Sequence, residues 1–300
     1  MTPSHKVRAV FDDRNLVSAA GLVPVLRLAE AAGLHDLLDE WLSVDSPNAM
    51  AKTACVVAGM LAGADSIDDL DLLRHGGMSK LFAGVRAPST LGTYLRSFTY
   101  GHVQQLDAVA GRFLAGLTAR VPGLIDGARQ ADGIAFVDVD DTIREVHGYA
   151  KQGAAYGYSG VRGLNAQLGV VSTPLTAPVI AAARLRRGNT ASARGAGRLL
   201  AQAIATARAA GVKSPIMARA DSAYYGYAFV GAALRAKTWY SVTVRMNPRI
   251  VKAIASIDDD AWALTRNFGH AQSRSCAGGS EMIRDHGQEE LLRGVSSWGR

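Results

Sequence analysis

Apolar residues recur at intervals of three and four in LVPVLRLAEAAGLHDLLDEWL (22–42) and AKTACVVAGMLAGA (51–64), the spacing that turns one side of an α-helix toward a core. Ser46-Pro47-Asn48 punctuates the two. The stretch APSTLGTYLRSFTYGHVQQLDAVAGRFLAGL (87–117) predicts a short helix capped by Ser89 or Thr90, a turn at Thr99 to Gly101, and a longer helix. Two helices around a tight glycine-containing turn make either a plain helical hairpin or a helix-turn-helix whose second helix enters a DNA groove. Residues 120–133, RVPGLIDGARQADG, predict a linker.

From Ile134 the pattern changes to that of strands. IAFVDVDDTIREVH (134–147) has the β-branched character of a buried strand that emerges into polar surroundings. A glycine-rich stretch (148–165) leads into a second strand, AQLGVVST (166–173), and PVIAAARLRRG (178–188) makes a third. With no room for helices between them, the three predict an antiparallel meander. TASARGAGRLLAQAIATARAAG (190–211) predicts a helix with Leu199, Leu200, Ala203 and Ala207 on one face and Arg194, Arg198 and Arg208 on the other. A fourth strand (214–222) ends in Asp221, and a helix (227–236), a fifth strand (239–246) and a last helix (249–257) follow. That order is an α/β fold, a mixed sheet with flanking helices, preceded by an all-α N-terminal segment.

Composition narrows the class. The 300 residues suffice for two domains, since one domain usually takes about 100 to 200 residues. A net charge of +7 and a pI near 9.6 point to a polyanionic partner, because Lys and Arg gain by neutralising phosphates. Cys55 and Cys276 stand far apart without a CxxC or a histidine partner, which argues against a disulfide framework and a zinc site. The N-terminus lacks the apolar core of a signal peptide, and no run approaches the ~18 apolar residues of a membrane span. The expectation is a protein without membrane contact, cytoplasmic and, given its charge, nucleoid-associated.

The candidate chemistry lies in Asp138, Asp140 and Asp141, closed by Thr142. An apolar strand running into Asp-x-Asp-x-Thr suits an aspartyl phosphatase of the haloacid-dehalogenase type. It suits equally a metal-dependent nuclease or transposase, in which such an acid holds a divalent ion. The phosphatase needs a further acid pair after a later strand, and SAYYGYAFVGAALRAK after Asp221 has none. The nuclease needs one carboxylate in the first strand and one at the end of the fourth, which Asp140 and Asp221 supply. Hard carboxylate oxygens favour Mg²⁺ or Mn²⁺. Asp138 and Asp140, two apart, share a strand face, so Asp138 joins them as a metal-ligand candidate, while Asp141 points away. Arg184, Arg186, Arg187, Arg194 and Arg198 begin a run of basic residues free of acids up to Arg219, a candidate phosphate-binding surface. Tyr149, Tyr156 and Tyr158 either pack or stack on an unpaired DNA end.

Three blocks together, VDVDDTIREVHGYAKQGAAYGYSGVRGLNAQLG, RLRRGNTASARGAGRLL and MARADSAYYGYAF, resemble DDE transposases of bacterial insertion sequences, specifically the thirteen-eighty family. The resemblance implies a ribonuclease-H-like catalytic domain (131–262) behind a helical DNA-binding domain (1–130). It implies Asp140 and Asp221 as the first two acids of a triad, double-stranded DNA as partner, and a homo-oligomer on that DNA. The resemblance fades after Trp262. The tail 263–300 has the composition of a shifted reading frame, and Glu281, Glu289 and Glu290 are its only glutamates. The expectation is therefore a chain that lacks the third acid and binds DNA without cutting it; the alternative outside catalysis is a dedicated DNA-binding protein.

Overall fold

The computed structural model describes residues 13–258 apart from Tyr149. Residues up to Thr243 belong to one compact unit and those from Val244 to a second.

The first unit begins with helices α1 (Leu22–Ala31) and α2 (Leu34–Trp41). The continuous apolar pattern over 22–42 is broken between them because Gly33 takes a left-handed φ of 88°, open to glycine at little cost. After α3 (Ala49–Leu61), two 3₁₀ segments, Asp68–Arg74 and Gly76–Lys80, fill a stretch for which the apolar spacing predicts no element. Helix α4 (Pro88–Arg96) is capped at Ala87 and starts two or three residues earlier than a Ser89 or Thr90 cap would place it, because Pro88 at the first position presets the helical φ. Helix α5 (Tyr100–Arg120) is opened by Thr99 and His102, each side chain satisfying the other's backbone N–H. The Arg112 guanidinium lies 3.7 Å over the Trp41 ring and ties α5 to α2. The predicted linker is packed instead: Ile125 and Ala128 are buried in the same core as the sheet.

The sheet has strands β1 (Ala135–Glu145), β2 (Ala155–Tyr156), β3 (Arg162–Thr173), β4 (Thr176–Arg187), β5 (Ile216–Ala220) and β6 (Trp239–Val242). Its order is β4-β3-β1-β5-β6, with the short β2 also on β3. The β1, β3 and β4 meander is antiparallel, whereas β5 joins β1, and β6 joins β5, in parallel. This is the expected mixed, ribonuclease-H-like sheet. Helices α6 (Ala196–Ala209) and α7 (Tyr227–Arg235) make the crossovers that parallel neighbours require. Val137, Val139, Val171, Leu199, Leu200, Ala203, Ile216 and Phe229 form the core. A Cβ on Gly169 would meet the Cβ of Ala203 at 2.8 Å, so α6 rests against β3 where there is no side chain.

A register shift where β4 passes Gly169 and Val170 reverses the alternation of β4. Ala181 and Ala182 are both buried; beyond them Arg184 and Arg186 turn inward while Leu185 is 58% exposed. The second unit holds α8 (Pro248–Ala255), whose Asn247 side chain caps the amides of Arg249 and Ile250.

Candidate active site

Parallel pairing of β1 with β5 runs from Ala135 opposite Ile216 to Val139 opposite Ala220. One step further along the same register stand Asp140 and Asp221. Strand β5 ends there, while β1 continues to Glu145 paired only with β3. Both aspartates are exposed. Each accepts one amide from its own chain neighbourhood: Asp141 N–H donates to Asp140 Oδ1 (2.7 Å) and Ala223 N–H to Asp221 Oδ1 (2.9 Å). The second oxygen of each has no protein donor among the described residues, so each retains one unengaged oxygen for a ligand.

Asp138, on the same face as Asp140, is differently placed. Arg219 opposite it on β5 donates from Nε (2.6 Å) to one oxygen and from an amino nitrogen (2.8 Å) to the other, and the guanidinium stacks 4.1 Å from the Phe136 ring. The sequence expectation that Asp138 holds a metal therefore meets an aspartate whose two oxygens are already engaged by a bidentate arginine.

Asp141 points into the core side, and three residues absent from the sequence expectations for its surroundings meet it there. Tyr224 OH donates to Asp141 Oδ1 (2.7 Å), the Asn165 amide donates to Oδ2, and Arg186 approaches Oδ2 at 3.3 Å. Arg186 also donates to Asn165 Oδ1 (2.6 and 2.9 Å) and to the carbonyl of Arg194 (2.5 Å). The fully buried Gln167 donates to the carbonyl of Ser192 (2.8 Å). Burial alone would raise the pKa of Asp141; the hydrogen bonds from Tyr224 and Asn165 and the charge of Arg186 outweigh it and hold the carboxyl below its ordinary value. Burial first, then the bond to Asp141 and the charges of Asp141 and Asp140, push Tyr224 well above the ordinary tyrosine value, so it remains a donor.

The arginines divide into two groups. Arg186, expected from the sequence on the DNA-binding surface, has a side chain only 8% exposed and engaged in this internal network. Arg184 is half-buried, with its Nε enclosed and lacking a partner and one amino nitrogen 3.4 Å from Gln202 Oε1. Arg187, Arg194 and Arg198 are exposed. Tyr156 and Tyr158 are exposed as well, as are Tyr225 and Tyr227 just after Asp221, which the spacing of acids does not single out. Tyr149 and Glu281, Glu289 and Glu290 lie outside the described residues, as does the tail 263–300.

A family profile described as "Transposase DDE domain group 1" matches residues 1–279. The chain belongs to this transposase DDE family. Membership sets aside the phosphatase reading of the Asp-x-Asp-x-Thr strand. Two solved structures are similar over 72% of this chain: "Mos1 transposase paired-end complex with left transposon end" (11% identity, 74% of that chain, TM-score 0.24) and "Crystal structure of the Mos1 Strand Transfer Complex" (13% identity, 73% of that chain, TM-score 0.21). No curated protein matches the chain. DDE transposases generally use divalent metal ions, and the donor set here agrees in kind, two exposed carboxylates with free hard oxygens. No cluster of three or more His, Cys, Asp or Glu suited to a metal occurs among the described residues. None of the described helices is long and apolar enough to cross a membrane.

Proposed function

We propose that this transposase chain uses Asp140 and Asp221 as paired carboxylate ligands of Mg²⁺ or Mn²⁺ at the phosphodiester of an insertion-sequence end, and that it belongs to the thirteen-eighty group of bacterial elements. The observation that supports the reading is the β1–β5 register, whose last pair, Val139 and Ala220, immediately precedes Asp140 and Asp221, each with one carboxylate oxygen unclaimed by the described protein donors. The bound ion would supply charge neutralisation at the phosphate and a more acidic water. The chain's own part is to hold the two carboxylates, to anchor DNA through Arg187, Arg194 and Arg198, and to keep Asp138 neutralised by Arg219. Two carboxylates give an octahedral cation too few ligands, so the remaining oxygens come from water and DNA phosphate. On this reading the partner is double-stranded DNA bound by a homo-oligomer in the nucleoid, and a chain limited to two acids occupies DNA without cutting it.

Mn²⁺ binding to the full chain tests the metal assignment. Asp140→Asn and Asp221→Asn should each weaken it at least about tenfold, since removing either ligand leaves a lone carboxylate. Asp138→Asn should leave it nearly unchanged. Equal affinity in the wild type and both ligand variants would refute the shared site, and loss confined to Asp138→Asn would move the ligand two residues back along β1.

A further inference from the structure

Asp140 and Asp221 stand on strands joined by backbone pairing only as far as Val139 and Ala220. Beyond that pair, something else must keep the Asp221 turn against β1. Asp141 adjoins Asp140, and Tyr224 closes the short 3₁₀ turn Ser222–Tyr224, its N–H bonded to the carbonyl of Asp221 (3.2 Å). The Tyr224–Asp141 hydrogen bond thus crosses between the two strands directly behind the two acids. Arg186 and Asn165 hold Asp141 from the other side, and Arg186 continues to the carbonyl of Arg194 in the loop before α6.

We propose that Tyr224, Asp141, Asn165 and Arg186 form a buried clamp that sets the position of Asp221 relative to Asp140 and fastens the 188–195 loop to the same point; its bearing on metal rests on the function proposed above. The Tyr224 hydroxyl and both Asp141 oxygens are engaged with protein groups, so both act as positioning residues in this proposal. The side chains of Asp141 and Arg186 are only 11% and 8% exposed, and a buried ionic network with several hydrogen bonds tolerates few geometries. Tyr224 packs its ring beside Phe229, with centroids 6.4 Å apart, so Tyr224→Phe removes the hydroxyl and keeps the ring in the core.

The test is native-state hydrogen exchange on the full chain without metal, paired with Mn²⁺ binding. Tyr224→Phe should speed exchange of the Ala223 and Tyr224-position amides about tenfold, the effect of losing one hydrogen bond to a charged group. The amides of β3 and α6 should keep their wild-type rates, and Mn²⁺ affinity should fall several-fold. Arg186→Lys keeps the charge but loses the fork, and should loosen amides of residues 188–195. Unchanged exchange at 223 and 224 in Tyr224→Phe overturns the clamp, as does acceleration spread evenly through the sheet, which is the mark of general destabilisation. Local loosening with unaltered Mn²⁺ affinity overturns its positioning role. If wild-type protein binds no Mn²⁺ while exchange loosens locally, the clamp stands and the metal reading falls. Wild-type rates over 188–195 in Arg186→Lys would remove the loop from the clamp.

Discussion

At single residues, the decisive quantity is what each charge meets. Asp107 on α5 is half-buried near Arg184 and Arg198; burial raises its pKa above the ordinary carboxylate value, and the two arginines only partly oppose this. A carboxyl whose folded pKa is raised favours folding while it is protonated, below its unfolded value of about 3.9, and that contribution is lost as pH rises through the folded value. Asp107→Asn keeps the neutral shape at every pH. Its melting temperature should exceed that of the wild type at pH 7, and the difference should vanish as pH falls below about 4. A lower melting temperature at pH 7 would mean that the arginine pairing outweighs burial. The sequence makes Asp140 and Asp221 visible because acids at strand ends are rare enough to stand out. It does not show that Asp138 is tied to Arg219, because that pairing depends on a register between strands 81 positions apart. One signal for the Asp141 network does exist: Asn165 and Gln167 sit two apart on the face of β3 that buries Gly169 and Val171, and polar residues in a buried register imply polar partners.

At the scale of elements, spacing predicts the sheet and most helices because period two and period 3.6 are imposed by backbone geometry. It fails on β4 for a local reason. Simple alternation from Val179 would place Leu185 inside and Arg186 outside, and the bulge inserts one residue and exchanges them. The packing of α6 on β3 makes a sharp prediction at Gly169. Gly169→Ala should destabilise the protein by about 1–3 kcal/mol through overpacking, because its Cβ would sit 2.8 Å from that of Ala203. Adding Ala203→Gly should restore part of the loss in denaturant unfolding. Additive losses in the double variant would show that α6 does not bear on β3 at this point.

Across the whole molecule, a net charge of +7 is distributed unevenly in function, since some arginines hold the fold and others face solvent. Replacing Arg187, Arg194 and Arg198 with Gln should flatten the dependence of log DNA affinity on log salt by about 0.9 for each phosphate that the variant no longer neutralises. Arg184→Gln should leave the slope as it is. In the same experiment, duplex carrying the element's ends should be bound but remain intact with Mg²⁺. Scission would show a complete catalytic set, and a flat salt dependence of the intact protein would separate its charge from DNA.

The β1–β5 pairing also has a consequence for the order in which the protein is built. The β3–β4 turn is tight and the β1–β3 connection spans only residues 146–161, whereas β5 must find β1 after the chain has run through the meander and α6. Loop-closure entropy and contact order favour the hairpins as the early-forming part and delay the long-range pair. During synthesis, a ribosome-bound chain that has emerged only through β4 already holds Asp140 on a formed ribbon but has no Asp221 beside it. Asp140 and Asp221 therefore come together only after the meander has formed, with β6 still to add to β5, and on the proposed reading a nascent chain has no metal site until then.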